Sequence, residues 1–226
     1  MNYISKPRHC LAAVAAFLLS PAALAVNASS TIATVYQVAI SQNADCTNPT
    51  VIFSSVAGKR VDLVKKPYIG GGFVNDGTYR CLMMTVANSL VLTPSSSALP
   101  GCVAGTPFVS NPCLGGTTDL LDVGSTTATS TACSSSGKVT IYASTSSLIS
   151  NPNSDVSNCV GNGDYSAFRR PTSDTAPGAC RGILLAGAMT VAGSKSTKFY
   201  FDVGRNGGLY DDNGACDMDT PVMGFK

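Results

Sequence analysis

The chain contains no tryptophan and no glutamate, and its single histidine is His9. Charge is scarce as well: 15 Lys and Arg face 13 acids, every one of them Asp, in 226 residues. Each shortage excludes something. Without glutamate, and without Lys- and Leu-rich stretches, a helical bundle or coiled coil has little to form from. A formal net charge of +2 with scattered cations does not suit a nucleic-acid surface. At 44% hydrophobic and 12% charged residues, the chain is too apolar to be disordered throughout. What it does have is 48 Ser and Thr, 22 Gly and 9 Cys. That mixture fits an exported, disulfide-bonded, β-rich globular protein.

Residues 1–25 follow the pattern of a secretory signal peptide. Lys6 and Arg8 give the positive start, residues 11–19 a short apolar core, and Ala23-Leu24-Ala25 a small-x-small cleavage site. Ala28 offers a second cleavage position. The apolar run falls short of the ~20 residues that a membrane-spanning helix needs. Cys10 precedes the apolar core, so it is not a lipid-attachment cysteine, and residues 221–226 lack an anchor-tail pattern. The expected location is therefore extracellular or at the cell surface, with no membrane span after processing. Removing Lys6 and Arg8 takes the 15 cations to 13, against 13 Asp, and removes the only histidine.

Eight cysteines remain: Cys46, Cys81, Cys102, Cys113, Cys133, Cys159, Cys180 and Cys216. An even count in an exported chain predicts four disulfides, with connectivity open. Loop length favours Cys102 with Cys113 and Cys159 with Cys180, leaving Cys46 with Cys81 and Cys133 with Cys216 as long-range staples. A zinc site is disfavoured, because no C-x-x-C pair or histidine partner is present.

Alternating and apolar runs predict strands over 31–41, 50–54, 60–64, 78–93, 138–144, 182–192 and 198–203, with a short one near Val222. In the first, Ile32, Tyr36, Val38 and Ile40 are expected on one face, and Ala33, Val35, Gln37 and Ala39 on the other. The run 78–93 reads as one bent strand or as two strands meeting near Asn88 and Ser89. Ala57-Gly58 reads as a turn, and residues 193–197 as a hairpin loop. Residues 94–137 are dense in Ser, Thr, Pro, Gly and Cys, and the tract STTATSTACSSS at 125–136 reads as a solvated loop. Residues 120–123 are a candidate short edge strand. The expected fold is all-β: a disulfide-stapled β-sandwich with long Ser/Thr/Gly-rich loops. It forms one domain over 26–226, with an irregular insertion around 94–137.

The stretch Arg60-Val61-Asp62-Leu63-Val64, followed by Asn75-Asp76-Gly77-Thr78-Tyr79 and Leu82-Met83-Met84-Thr85-Val86, resembles the core of bacterial exported β-sandwich modules of unknown function. The resemblance covers about a third of the mature chain. It implies prealbumin- or immunoglobulin-like topology, in which the Gly-Thr-Tyr turn leads into a central strand. It carries no catalytic residue across.

Without histidine in the mature chain, Ser-His-Asp and Cys-His machinery is missing. Ser135-Ser136-Gly137-Lys138 fits S-x-x-K, but a Ser-rich tract produces that match by chance, and no S-D-N or K-T-G accompanies it. No phosphate-binding glycine motif occurs; Gly70-Gly71-Gly72 reads as a turn. One constellation suits a metal. Asp202, Asn206, Asp211, Asp212, Asp217 and Asp219 lie in one Gly-rich stretch that offers carboxylates on a turning backbone, as Ca²⁺ requires. The bland alternative is Asp/Asn/Gly turn chemistry.

Three functions follow, in order. The first is a non-enzymatic secreted bacterial surface protein, structural or adhesive and a candidate filament subunit. Its segment 26–41 would be donated to a neighbour's sheet edge or would serve as the first strand of its own sheet. The second is a secreted module that binds glycan or protein through its loops, with or without calcium; Tyr68, Tyr165, Tyr200 and Tyr210 are its candidate aromatics. The third is an Asp-based secreted hydrolase, resting only on the number of Asp residues.

Overall fold

A computed structural model describes residues 26–65, 74–113, 116–146, 183–185, 187–193, 199–202, 208–218 and 222–225, with backbone alone at 184, 199–202, 212 and 222–225. Residues 1–25, expected to be a signal peptide, and Cys159, Cys180, Tyr68 and Tyr165 lie outside the described residues. The fold is all-β. Its strands are β1 (Ala28–Ser41), β2 (Thr50–Asp62), β3 (Gly77–Tyr79), β4 (Cys81–Ala87), β5 (Leu90–Pro94), β6 (Phe108–Ser110), β7 (Thr117–Leu121), β8 (Ala128–Ala132), β9 (Lys138–Ser144), β10 (Ile183–Leu184), β11 (Met189–Val191), β12 (Phe199–Asp202), β13 (Leu209–Asp212), β14 (Ala215–Met218) and β15 (Val222–Phe225).

Seven of these strands form one sheet that curls into a half-barrel, ordered β10-β9-β4-β1-β5-β6, with β2 on the other side of β1. The long strand β1 is its axis. One edge of β1 pairs with β2 from Ile32 to Ile40. The other pairs first with β5, from Ala28 to Ile32, and then with β4, from Val35 to Ser41. Both partners run antiparallel to β1, so β4 and β5 are one strand bent at Asn88 and Ser89.

The alternation expected along β1 breaks at Tyr36, which is skipped in both ladders. A one-residue bulge exchanges the two faces of a strand. Accordingly Ala33 and Val35 face the main core before the bulge, and Val38 and Ile40 face it afterwards. Ile32 and Tyr36 therefore do not share a face with Val38 and Ile40, contrary to the simple alternation. The expected turn at Ala57-Gly58 is corrected too. Residues 50–54 and 59–62 both pair with β1, and 55–58 are a four-residue excursion opposite Tyr36. Gly58 has φ +75°, and a Cβ there would lie 2.5 Å from Thr34 Cγ2 and 2.9 Å from Tyr36 Cε1. Only glycine fits that approach.

The main core lies between the inner face of this sheet and a layer of shorter elements. Leu82, Met84, Val86, Val139 and Ile141 come from the sheet; Tyr79, Met189, Val191 and Leu209 come from β3, β11 and β13. The expected hairpin across 193–197 does not form: β11 pairs with β3, and β12 pairs with β15. A glycine-bearing loop of hairpin length does not fix pairing when each flanking strand finds a better-matched edge elsewhere.

One buried group stands against this packing. Thr31 is fully buried, and its Oγ1 has no hydrogen-bond partner among the described residues. A buried unsatisfied hydroxyl costs on the order of 1–3 kcal/mol. Thr31→Val keeps the β-branch and removes the cost, so it should raise stability by about 1 kcal/mol in urea titration. An unchanged or lower midpoint would show that the hydroxyl is satisfied in solution.

Candidate functional site

The second face of the sheet carries an unusual surface. Gln37, Ser41, Thr85, Thr140, Tyr142 and Ser144 all point to it, and the first five of the strand hydroxyls and amides are more than nine-tenths buried, as is Ser144. The β7–β8 ribbon and its loop cover Gln37, Thr85, Thr140 and Tyr142, with Leu121 of β7 joining Ala39, Cys46, Cys81, Met83 and Tyr142 in a small second core, while Ser41 and Ser144 donate to Thr47 O and Ala44 O of the 43–48 turn.

The ribbon is attached by hydrogen bonds to its backbone. Thr85 Oγ1 donates to Leu121 O at 3.0 Å, and Leu121 N donates to Thr140 Oγ1 at 2.9 Å. The two threonine oxygens are 2.9 Å apart; with the Thr85 proton already used, Thr140 donates to Thr85. Thr140 N donates to Thr118 Oγ1 at 3.2 Å. Gln37 clasps the β7–β8 loop: its Nε2 donates to Ser125 O at 3.2 Å, and its Oε1 accepts from Gly124 N. Tyr142 Oη donates to Asp119 O. Such paired polar groups add specificity without leaving unsatisfied atoms.

Residues 94–137 are therefore not wholly irregular, and the Ser/Thr tract is not simply a solvated loop. Residues 128–132 form strand β8, and 117–121 form β7, close to the edge strand expected at 120–123. Beyond the docked side, Thr126, Thr127, Thr129, Ser130, Thr131, Ser134, Ser135 and Ser136 are exposed.

Three disulfides fasten these layers. Cys46 with Cys81 ties the 43–48 turn to β4, as expected. The other described pairs correct the loop-length expectation: Cys102 bonds Cys216, not Cys113, and Cys113 bonds Cys133. The first staples the β13–β14 ribbon to the loop before β6; the second holds the ends of the β7–β8 ribbon together. Loop length failed as a guide for Cys102 because its bridge joins two layers. Cys159 and Cys180 lie outside the described residues. Three disulfides mark an oxidising environment.

The acidic C-terminal stretch resolves in part into the β13–β14 hairpin. Asn213 (φ 51°) and Gly214 (φ 88°) form its turn, the Asn-Gly pair such hairpins favour. Register places Tyr210 beside Asp217 and Asp211 beside Cys216, so Asp211 and Asp217 fall on opposite faces. Asp211 Oδ1 accepts from Gly214 N at 2.8 Å. Asp217 accepts from Ser110 Oγ at 3.1 Å and from Tyr210 Oη at 3.4 Å. Both carboxylates thus serve the hairpin and its seat against β6. Asn206 and Asp219 lie outside the described residues, and Asp202 and Asp212 are described by backbone alone. Among the described residues, no cluster of three or more metal-ligating side chains forms.

Asp62, at the end of β2, is a carboxylate that sequence reasoning placed only within a motif. Its Oδ2 accepts from Ser30 Oγ at 2.7 Å, and its Oδ1 from the backbone N–H groups of Val64 and Lys65 at 3.0 Å and of Thr31 at 3.3 Å. Partial burial pushes its pKa up, but the hydrogen bonds from Ser30, Lys65, Thr31 and Val64 together outweigh it and hold the carboxyl below its usual value. A depressed folded-state pKa gives stability that is present above the ordinary carboxylate pKa and lost as pH falls through the folded value. Wild type should therefore lose urea resistance below about pH 4. Asp62→Asn, which keeps the Oδ1 acceptor, should lose less over that range. Parallel pH profiles of the two proteins would refute the assignment.

Comparison with protein-family models, curated proteins and solved structures finds no match to this chain.

Proposed function

We propose that the chain is a non-enzymatic secreted protein of a bacterial surface, structural or adhesive in role, that works by associating with copies of itself or with other surface proteins. The observation that carries this reading is the β7–β8 ribbon. Within an uncharged Ser/Thr tract that composition alone assigns to a loop, 128–132 form a strand paired with β7, whose backbone is held by buried side chains and whose ends a disulfide closes, with the outer edge turned to solvent. Fixing such a strand in place suits contact more than flexibility. Export supplies the oxidising conditions that the disulfides require.

The test is the size of the mature protein exported to a periplasm, by light scattering after size exclusion and by negative-stain microscopy. Dimers or ordered assemblies are the expected result. A monomer at every concentration would remove the structural reading.

A second reading, a secreted binding module, is favoured by one feature. Val103, Val109 and Tyr210 are 54%, 58% and 41% exposed, and they sit around β6 and the hairpin seated against it. Apolar side chains exposed near one edge mark contact surfaces. Retention of a defined glycan or protein on immobilised chain, lost on Tyr210→Ala, would support it; blank binding across broad glycan classes would sink its glycan form.

A further inference from the structure

We infer that strand β8 is the self-association surface: two copies of the chain pair β8 with β8 antiparallel across a two-fold axis, centred on Ser130. The inference rests on the structural reading above and specifies the contact it uses.

Exposed strand edges template further pairing unless something blocks them. Among the described residues, β2 and β6, two other edges of the main sheet, are guarded, and β10, at its far end, has only two residues. Along β2 the excursion at 55–58 breaks the edge, and Lys59 and Arg60 add charge. Strand β6 has only three residues and sits beside β14, joined to it through Ser110 and Asp217. Strand β8 has neither guard. Its register with β7 is unbroken over five residues, and Thr129, Ser130 and Thr131 are exposed. No ionisable side chain other than the disulfide-bonded Cys133 lies between Asp122 and Lys138.

What identifies the partner is the order of residues. Ala128-Thr129-Ser130-Thr131-Ala132 reads the same in both directions. A two-fold interface needs a surface complementary to itself. In an antiparallel pair centred on Ser130, Ala128 meets Ala132 of the second copy, Thr129 meets Thr131, and Ser130 meets Ser130. Cross-strand Thr–Thr pairs are favourable. The backbone agrees. Cys133 N donates to Gly116 O at 2.8 Å. That bond fixes the ladder's parity, so Thr129 and Thr131 turn their N–H and C=O groups toward β7. Ala128, Ser130 and Ala132 turn theirs outward, where the central Ser130 pair needs them. The product is a continuous β7-β8-β8-β7 sheet. It closes on itself, so this contact makes dimers, and a filament requires a second one.

The test uses the exported mature protein and four variants, with mass by light scattering and folding by circular dichroism. Wild type should have twice the monomer mass. Thr129→Lys with Thr131→Lys places Lys opposite Lys across the axis and should give monomers with an unchanged melt. Thr129→Lys with Thr131→Asp places Lys opposite Asp and should restore the dimer. Ser130→Cys should trap a covalent dimer on a non-reducing gel, because facing positions bring Cα atoms to about 5.5 Å, whereas Thr129→Cys should not. If wild type assembles but none of these variants changes its mass, β8 is not the contact, and the structural reading survives. Binding to a different protein, with wild type alone monomeric, overturns the self-pairing. A wild type that neither dimerises nor assembles overturns both.

Discussion

Deletion of residues 26–34 will destroy the fold, and not merely an assembly. The segment lies within the axis of the seven-stranded sheet. It carries the entire ladder to β5, and its later residues pair with Asp62, Val61 and Arg60 of β2. Val26, 3% exposed, exchanges two backbone hydrogen bonds with Leu209, at 3.0 and 2.7 Å. Ala33 is fully buried in the main core. The deletion also removes Ser30 and Thr31 from Asp62. Losing one side of two ladders and a wall of the core exceeds the ~5–15 kcal/mol by which a domain of this kind is stable. The truncated chain should show no cooperative thermal transition and should aggregate. A folded truncation that regains stability on binding a peptide of residues 26–41 would instead make β1 a donated strand. The pairing of β1 within its own chain, with partners on both edges, supports the other alternative that the sequence left open.

How much of this could be read in advance depends on the element. The runs that became β4 and β9 were legible because strongly apolar stretches bounded by turn residues have few other outcomes. The bend at Asn88 was legible as one of two alternatives. The bulge at Tyr36 was not, because nothing in TIATVYQVAIS marks where two partner strands will skip a residue. The second covered face was hidden for a different reason. Gln37, Thr85 and Thr140 look like solvent-facing residues of an alternating strand, and become interior only because a ribbon from 117–132 lies over them. That ribbon was itself disguised as low complexity. The candidate surface was thus concealed by one reading, that of the Ser/Thr tract as a solvated loop: the ribbon it belongs to is what buries the polar strand face. The pairing of Cys46 with Cys81 was legible, but that of Cys102 was not, since it finds Cys216 across 114 residues of chain.

Asn88→Ala should be the most damaging single substitution away from the core hydrocarbons. At the bend between β4 and β5 the ladder is interrupted, and backbone groups from two other segments converge there. Asn88 is fully buried and satisfies them. Its Nδ2 donates to Cys113 O at 2.6 Å and to Ser134 O at 2.9 Å, and its Oδ1 accepts from Cys113 N at 2.9 Å. Its own backbone is held in turn: its N–H donates to Gly137 O at 2.9 Å, and Asn111 Nδ2 donates to its carbonyl. The side chain therefore joins the sheet to both ends of the ribbon that the Cys113–Cys133 bridge clamps. Alanine removes the side-chain bonds to the buried N–H and carbonyl of Cys113 and to the part-buried carbonyl of Ser134, at about 1–3 kcal/mol for each group that water cannot reach. The expected loss is roughly 3–5 kcal/mol in urea titration, in the range kept for broken buried networks. Asn88→Asp separates the two halves of the network. It keeps the acceptor for Cys113 N but turns oxygen toward two carbonyls, so it should be as damaging at neutral pH and partly recover in acid, where a protonated carboxyl donates once. A loss below 1 kcal/mol for Asn88→Ala would mean that water fills the bend, and that the disulfide alone secures the ribbon.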